Sequence, residues 1–260
     1  EGIERFAIGF APDRWDGLSE ELSRVGQSLE LAEQCGLIGK RKQGQGYYDR
    51  FRGRLMFPIR DLAGEVIAFG GRVVPGTKSS EPGKDGIKPG KYINSPDTPV
   101  YTKGKTLFGL YEARKSIRQS GEVIMVEGNL DVVRMAQAGL TNVVAPMGTA
   151  LTQEQCQLMR RFVSRVVMIY DGDTAGQAAA LKAIPLAMSA GLQVGVVALP
   201  ADEDPDSLLD KEGVEGVKER LSGSSPGWTY LVKQAIEHAD VRRDPMSGIP
   251  RVIDQVVDVL

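Results

Sequence analysis

Val166-Val167-Met168-Ile169-Tyr170-Asp171-Gly172-Asp173 is an apolar run followed at once by two carboxylates. Short β-branched runs bounded by glycine and proline read as buried strands of a parallel sheet. Ligands of open α/β sheets are held just beyond the C-terminal ends of the strands. Asp171 and Asp173 stand at that position, and Gly172 between them removes side-chain bulk, so both can face one ion. Two further runs repeat the arrangement. Val123-Ile124-Met125-Val126 precedes Glu127, with Asp131 four residues on, and residues 194–199 precede Asp202-Glu203-Asp204-Pro205-Asp206. A lone D-x-D often does no more than cap a helix. The weight here lies in acidic clusters recurring after three strands expected to be neighbours. Carboxylates gathered without matching cations repel one another, and a divalent metal is the natural neutraliser. Two metals held in this way suit the attacking and leaving oxygens of a phosphoryl displacement.

Outward from these runs, strands and helices alternate. Strand 123–126 leads to a helix over 129–138, stopped by Gly139. Strand 143–145 leads to a helix over 152–165, where Thr152 and Gln155 form a capping box. Strand 166–170 leads to an Ala-rich helix over 174–190 that Pro185 must kink or break. Strand 194–199 leads to a short helix capped by Asp204 with Pro205 first. This order implies a parallel sheet with helices on both faces. From Gly213 on, only helical signals remain. Upstream, Leu18, Leu22, Val25, Leu29 and Ala32 space one helix over 18–34, ending at Gly36. Residues 51–61 and 66–73 read as a β-hairpin turned by Asp61-Leu62-Ala63-Gly64. Polar residues 76–90 read as a mobile loop, and 111–120 as a helix. Gly148-Thr149 closes another strand-end turn whose backbone N–H groups can face phosphate. An ordinary strand-to-helix loop is the alternative.

The 260 residues, 42% apolar and 25% charged, suit a globular protein with a large core. No run approaches the ~20 apolar residues that span a bilayer, and no basic-then-apolar leader suggests export. The chain opens on Glu1-Gly2 without Met and is expected to be a fragment. Cys35, Cys156 and the single His238 supply neither a zinc site nor a Ser-His-Asp or Cys-His nucleophile system. Lys103-Gly104-Lys105-Thr106 mimics the end of a P-loop, but Pro99 stands where its first glycine belongs. Gly44-Gln45-Gly46 lacks the third glycine of a dinucleotide fingerprint. Charge is uneven. Residues 36–118 carry 17 Lys/Arg against 7 Asp/Glu and 9 of the 16 aromatics, a net +10, while the remainder carries −12. Cations interleaved with rings suit a single-stranded nucleic acid.

Val126-Glu127-Gly128-Asn129-Leu130-Asp131, Ala145-Pro146-Met147-Gly148-Thr149, Tyr170-Asp171-Gly172-Asp173-Thr174-Ala175-Gly176 and Asp202-Glu203-Asp204-Pro205-Asp206 resemble the Toprim core. Upstream, Arg52-Gly53-Arg54-Leu55-Met56-Phe57-Pro58-Ile59, Phe69-Gly70-Gly71-Arg72 and Lys91-Tyr92-Ile93-Asn94-Ser95-Pro96 resemble the catalytic core of bacterial DnaG-type primases. Similarity runs from Ile3 to Tyr230. It departs mildly at Asn129, often aromatic in the family, and at Pro146, where a small residue is common; neither changes charge.

The resemblance implies an α/β protein: a Toprim-type parallel-sheet core over 119–212, a small basic α+β subdomain over 1–118 and a C-terminal helical segment over 213–260. It implies template-directed synthesis of short RNA primers on single-stranded DNA from NTPs during DNA replication. Glu127, Asp171 and Asp173 would be catalytic. With Asp204, Asp206 and a supporting Asp131 they would bind two or more divalent ions, Mg²⁺ or Mn²⁺, and no zinc. Arg54, Arg72, Lys91, Asn94 and Lys103 would line the cleft for NTP phosphates and template, with Gly148 and Thr149. Arg50 and Arg52 are weaker candidates, because alternating Arg on a strand can simply face water. The expected partners are the template, NTPs and the primer product, in the bacterial cytoplasm. The family's zinc-binding and helicase-binding domains are expected to be absent here, the replicative helicase engaging the latter. Rival readings are another Toprim enzyme, a nuclease or topoisomerase piece, and a non-catalytic single-strand-binding module.

Overall fold

The computed structural model of the chain describes residues 2–41, 44–82, 88–148, 150–238 and 249. It divides into two compact units, residues 1–112 with 147–149, and residues 113–146 with 150–260.

The first unit opens with α1 (Gly2–Arg5), β1 (Gly9–Ala11), α2 (Gly17–Arg24) and α3 (Leu29–Gln34). The single helix expected over 18–34 is therefore two. Gly26 takes φ +72, a left-handed conformation that ends α2. Ser28 then caps α3 by accepting from the Leu31 N–H. β2 (Ile38–Lys40) and β3 (Tyr47–Asp49) form a small hairpin. β4 (Arg54–Arg60) and β5 (Val66–Val73) form the large one, in a sheet ordered β1-β4-β5-β6 with β6 (Tyr92–Asn94), all antiparallel. Its turn is built as expected, with Asp61 Oδ1 accepting from the N–H groups of Ala63, Gly64 and Glu65, each at 2.9 Å. Phe57 and Ile59 point from β4 into the core. There Phe57 meets Phe108 edge-on at 6.0 Å, and Phe6 stacks on Phe108 at 5.7 Å. Phe108 lies in the short strand β7 (Leu107–Phe108). Of the loop expected over 76–90, Lys78–Ser80 forms a 3₁₀ turn and residues 83–87 lie outside the described residues.

The second unit alternates as the sequence does. α4 (Leu110–Ser120) leads in from the first. Then come β8 (Glu122–Met125), α5 (Asn129–Gln137), β9 (Val143–Pro146), α6 (Gln153–Arg160), β10 (Arg165–Ile169), α7 (Thr174–Ser189), β11 (Gln193–Val197), α8 (Pro205–Ser222), β12 (Ser225–Pro226) and α9 (Gly227–His238). Its strands lie in the order β12-β11-β10-β8-β9, parallel except for β12. Val166, Val167, Met168 and Ile169 are fully buried, as a strand covered on both faces must be. From β8 the chain crosses to β9 on one side, and from β10 to β11 on the other. Crossovers of this kind are right-handed, so α5 and α7 cover opposite faces. α5 packs with α8, and α7 with α6 and α9.

Four details differ from expectation. α6 stops at Arg160. α7 runs unbroken past Pro185, since packing on α6, α9 and β11 offsets the missing N–H bond. Gly213, at φ 67, separates a first stretch of α8 from its continuation. β12 interrupts a stretch read as wholly helical. Thr149, residues 239–248 and residues 250–260 lie outside the described residues. Among the described residues no helix is long and apolar enough to cross a membrane.

Candidate functional site

β8 and β10 are adjacent and in register, Met125 beside Met168. The chain reverses its direction of travel between them, so the space beyond their C-terminal ends is the switch-point crevice of an open sheet. Glu127 and Asp171 each lie two residues past a strand end and meet there. Glu127 Oε1 accepts from the Asp171 backbone N–H at 2.9 Å. Burial raises the Glu127 pKa; the Asp171 N–H lowers it again, and the Asp171 and Asp173 carboxylates add to the rise. Asp131, on the first turn of α5, accepts from the Gly128 N–H at 3.0 Å. Burial pushes its carboxyl up to about 7, with Asp171, Asp204 and Asp206 also raising it. Asp171 is thus shared by two neighbourhoods, with Asp173 around Glu127 and with Asp204 and Asp206 around Asp131.

The backbone holds this crevice tightly. The Gly172 N–H donates to the Glu203 carbonyl at 2.9 Å, joining the loops after β10 and β11. A Cβ at Gly172 would lie 1.7 Å from the Pro200 oxygen, and one at Gly176 would lie 2.7 Å from Glu127 Oε1. The need for glycine at 172 is therefore backbone packing. Three of the acids also have work of their own. Asp173 caps α7 through the Gly176 N–H at 2.8 Å, and Asp204 caps α8 through the Ser207 N–H at 2.7 Å. Asp206 accepts from Arg134 Nε at 2.5 Å. Among the described residues no three His, Cys, Asp or Glu side chains already surround a cation position. The donor chemistry fits one nonetheless: oxygen-only ligands, crowded negative charge and carboxyl groups pushed up by burial and, less, by one another suit a hard divalent ion.

The basic candidates belong to the first unit, whose sheet carries Arg54 on one face and Arg72 with Asn94 on the other. Arg50, Arg52 and Arg54 line a cleft of about 710 Å³, with Arg14, Trp15, Lys78 and Lys88 around them. Asp49 and Phe51 line a separate apolar pocket with Met56 and Phe69, which share the Arg54 face of the sheet. Arg52 lies over the Trp15 ring at 4.5 Å. Arg54 is only 5% exposed; it donates to the carbonyls of Gly71, Gly90 and Lys91, and burial lowers its pKa. It braces the floor of the cleft. Arg72 pairs with Tyr92 across β5 and β6 and lies beside that ring at 5.5 Å, on the face opposite Ile93, which lines the cleft. Asn94 shares the Arg72 face. Its Nδ2 donates to the Met147 carbonyl at 2.9 Å, while its Oδ1 is buried without a partner among the described residues. Gly148, at φ +67, closes over it: a Cβ there would lie 2.7 Å from Asn94 Nδ2. Lys91 is exposed beside β6, and Lys103 is held in a 3₁₀ turn by Asp97. Sequence reasoning passed over Arg14, Trp15, Lys78, Lys88 and Arg134. The first two form a cation beside an aromatic, outside the basic segment 36–118.

Two family models match this chain. One, described as the DNA primase catalytic core, N-terminal domain, matches residues 1–114, and one described as Toprim-like matches residues 124–209. A DNA primase of Halalkalibacterium halodurans is 42% identical over 225 residues, which are 86% of this chain and 36% of that protein. The chain thus spans about a third of the length of the curated relatives it matches. A DNA primase domain from Pseudomonas aeruginosa superposes with a TM-score of 0.83 at 39% identity, covering 96% of this chain and 75% of that one. A DnaG primase catalytic domain bound to single-stranded DNA gives 0.81 at 38% identity, covering 99% and 80%.

Proposed function

This chain belongs to the catalytic-core family of bacterial DnaG-type primases, and we propose that it carries out template-directed synthesis of short RNA primers on single-stranded DNA from NTPs during replication. The observation that carries the reading is the Glu127–Asp171 contact at the switch point, with Asp173 acting on Glu127, and Asp171, Asp204 and Asp206 acting on Asp131. Toprim and primase proteins generally use divalent ions. In this proposal Glu127, Asp171 and Asp173, with Asp204, Asp206 and Asp131, hold two or more Mg²⁺ or Mn²⁺. When bound, such ions neutralise phosphate charge and ease deprotonation of a hydroxyl.

The other residues position the reactants. A 3′-OH attacks the α-phosphorus of an incoming NTP, the P–O bond to the β-phosphate breaks, and pyrophosphate leaves. Arg50, Arg52, Lys78 and Lys88 meet template phosphates, and Trp15 offers a stacking surface to a base. Arg72, Lys91, Asn94, Lys103, Gly148 and Thr149 take the triphosphate. The functional division into 1–118, 119–212 and 213–260 belongs to this proposal. So does a replicative helicase, engaged through another part of the whole protein in the bacterial cytoplasm.

The test is incubation with single-stranded template, NTPs and Mg²⁺ or Mn²⁺. RNA products are expected from the native chain and none from Asp171→Ala or Asp173→Ala, with single-strand binding largely kept. Synthesis that survives either substitution refutes the assignment. DNA degradation without NTPs would favour the nuclease reading instead.

A further inference from the structure

Arg134 reaches from α5 to α8, one helical turn along from Asp131. Its Nε donates to Asp206 Oδ1 at 2.5 Å, and its Nη2 to Asp210 Oδ1 at 2.6 Å. Asp206 and Asp210 are one turn apart on α8, so a single guanidinium bridges both. Asp206 lies in the first turn of α8, inside the acidic group around the switch point, whereas Asp210 is more exposed, at 68%.

We propose that Arg134 is a resident counter-ion that sets how tightly the acidic group takes a divalent cation, by holding Asp206 until the cation displaces it. This rests on the reading that Asp206 is one of the cation's ligands. A carboxylate oxygen engaged at 2.5 Å by a guanidinium must loosen that bond before it turns to a metal. Arg134 is thus a positioning residue acting through Asp206. Asp210 competes with Asp206 for the same guanidinium and weakens its hold. The pair is about half exposed, so it is weak enough to yield and worth a few-fold in an equilibrium.

The bridge has consequences that simple charge does not share. Removing Arg134 frees Asp206 and tightens cation binding. Removing Asp210 leaves the guanidinium wholly to Asp206 and weakens it. Once Arg134 is gone, Asp210 has nothing left to compete for. Net charge alone would instead make the two effects additive.

The experiment titrates Mn²⁺ into the full chain and reads free ion by electron paramagnetic resonance. Asp171→Ala and Asp206→Ala are measured alongside, and folding is checked by melting in EDTA. Arg134→Ala is expected to bind Mn²⁺ about two- to fivefold more tightly than the native chain and Arg134→Lys close to it. Asp210→Ala is expected to bind about two- to threefold more weakly, and the Arg134→Ala/Asp210→Ala double variant to match Arg134→Ala. Additive effects overturn the proposal. So does an Arg134→Ala protein that binds no more tightly, or, should that variant fail to fold, an Asp210→Ala protein that binds no more weakly. If Asp171→Ala and Asp206→Ala bind Mn²⁺ like the native chain, the ligand assignment itself has failed.

Discussion

At the scale of single residues, Gly172 and Asp131 show how the crevice is made. The turn after β10 must pass so close to the Pro200 carbonyl that no side chain fits between them. Its N–H then bonds the Glu203 carbonyl, which brings the loop bearing Asp202 to Asp206 up to the one bearing Asp171. Gly172→Ala forces these loops apart. It is expected to lower stability by about 1–3 kcal/mol, as overpacking does, and to weaken Mn²⁺ binding. Urea unfolding and the ion titration measure the two. Gly9→Ala, where a Cβ meets nothing within 4 Å, is the control and should change neither. A Gly172→Ala protein with native stability and native ion affinity would show that the close approach is incidental. The positions of the acids were legible in the sequence because each follows a strand end. Their partners were not. That Asp206 is bound to Arg134, or that Arg54 serves as a brace, depends on neighbours 72 residues away for the one and 17 to 37 for the other.

At the scale of elements, the parts written most plainly in the sequence are those with strong local chemistry. β8, β10 and β11 are β-branched runs with no competing periodicity. α6 and α8 begin at capping residues that the sequence names outright, Thr152 and Asp204. Thr152 Oγ1 accepts from the Gln155 N–H at 3.2 Å, and Gln155 Oε1 accepts from the Thr152 N–H at 3.1 Å. Thr152→Ala is therefore expected to cost about 1 kcal/mol and to speed amide exchange in the first turn of α6, while α7 exchanges as before. Unchanged exchange in that turn would mean the cap contributes nothing. What the sequence concealed lacks such chemistry. The two residues of β12 are too few to show a period. The break at Gly26 falls inside a run whose apolar spacing suits one continuous helix, yet Leu18 and Val25 are exposed and, of its five spaced apolar residues, only Ala32 is buried. The apolar spacing was real but did not mark a buried face, and a left-handed glycine overrode it.

At the scale of the whole chain, the governing feature is the separation of charge, +10 over residues 36–118 and −12 over the rest. Five of the cations, Arg50, Arg52, Arg54, Lys78 and Lys88, line a cleft that also presents an aromatic face, Trp15 being 53% exposed. In the proposed function this groove holds a single strand by two distinguishable forces. Each phosphate met by a cation releases counter-ions and contributes about −0.7 to the slope of log affinity against log salt concentration. A stacked base contributes about 1–3 kcal/mol with no such dependence. Binding of a fluorescent oligothymidylate, followed by anisotropy from 50 to 200 mM salt, roughly the range over which such contacts weaken most, separates them. Arg50→Ala/Arg52→Ala is expected to flatten the slope by about 1.4. Trp15→Ala is expected to lower affinity at every salt concentration and leave the slope nearly unaltered. Asp171→Ala, in the acidic unit, should change neither. A native slope in the double arginine variant would remove this cleft from the path of the template, however basic it is.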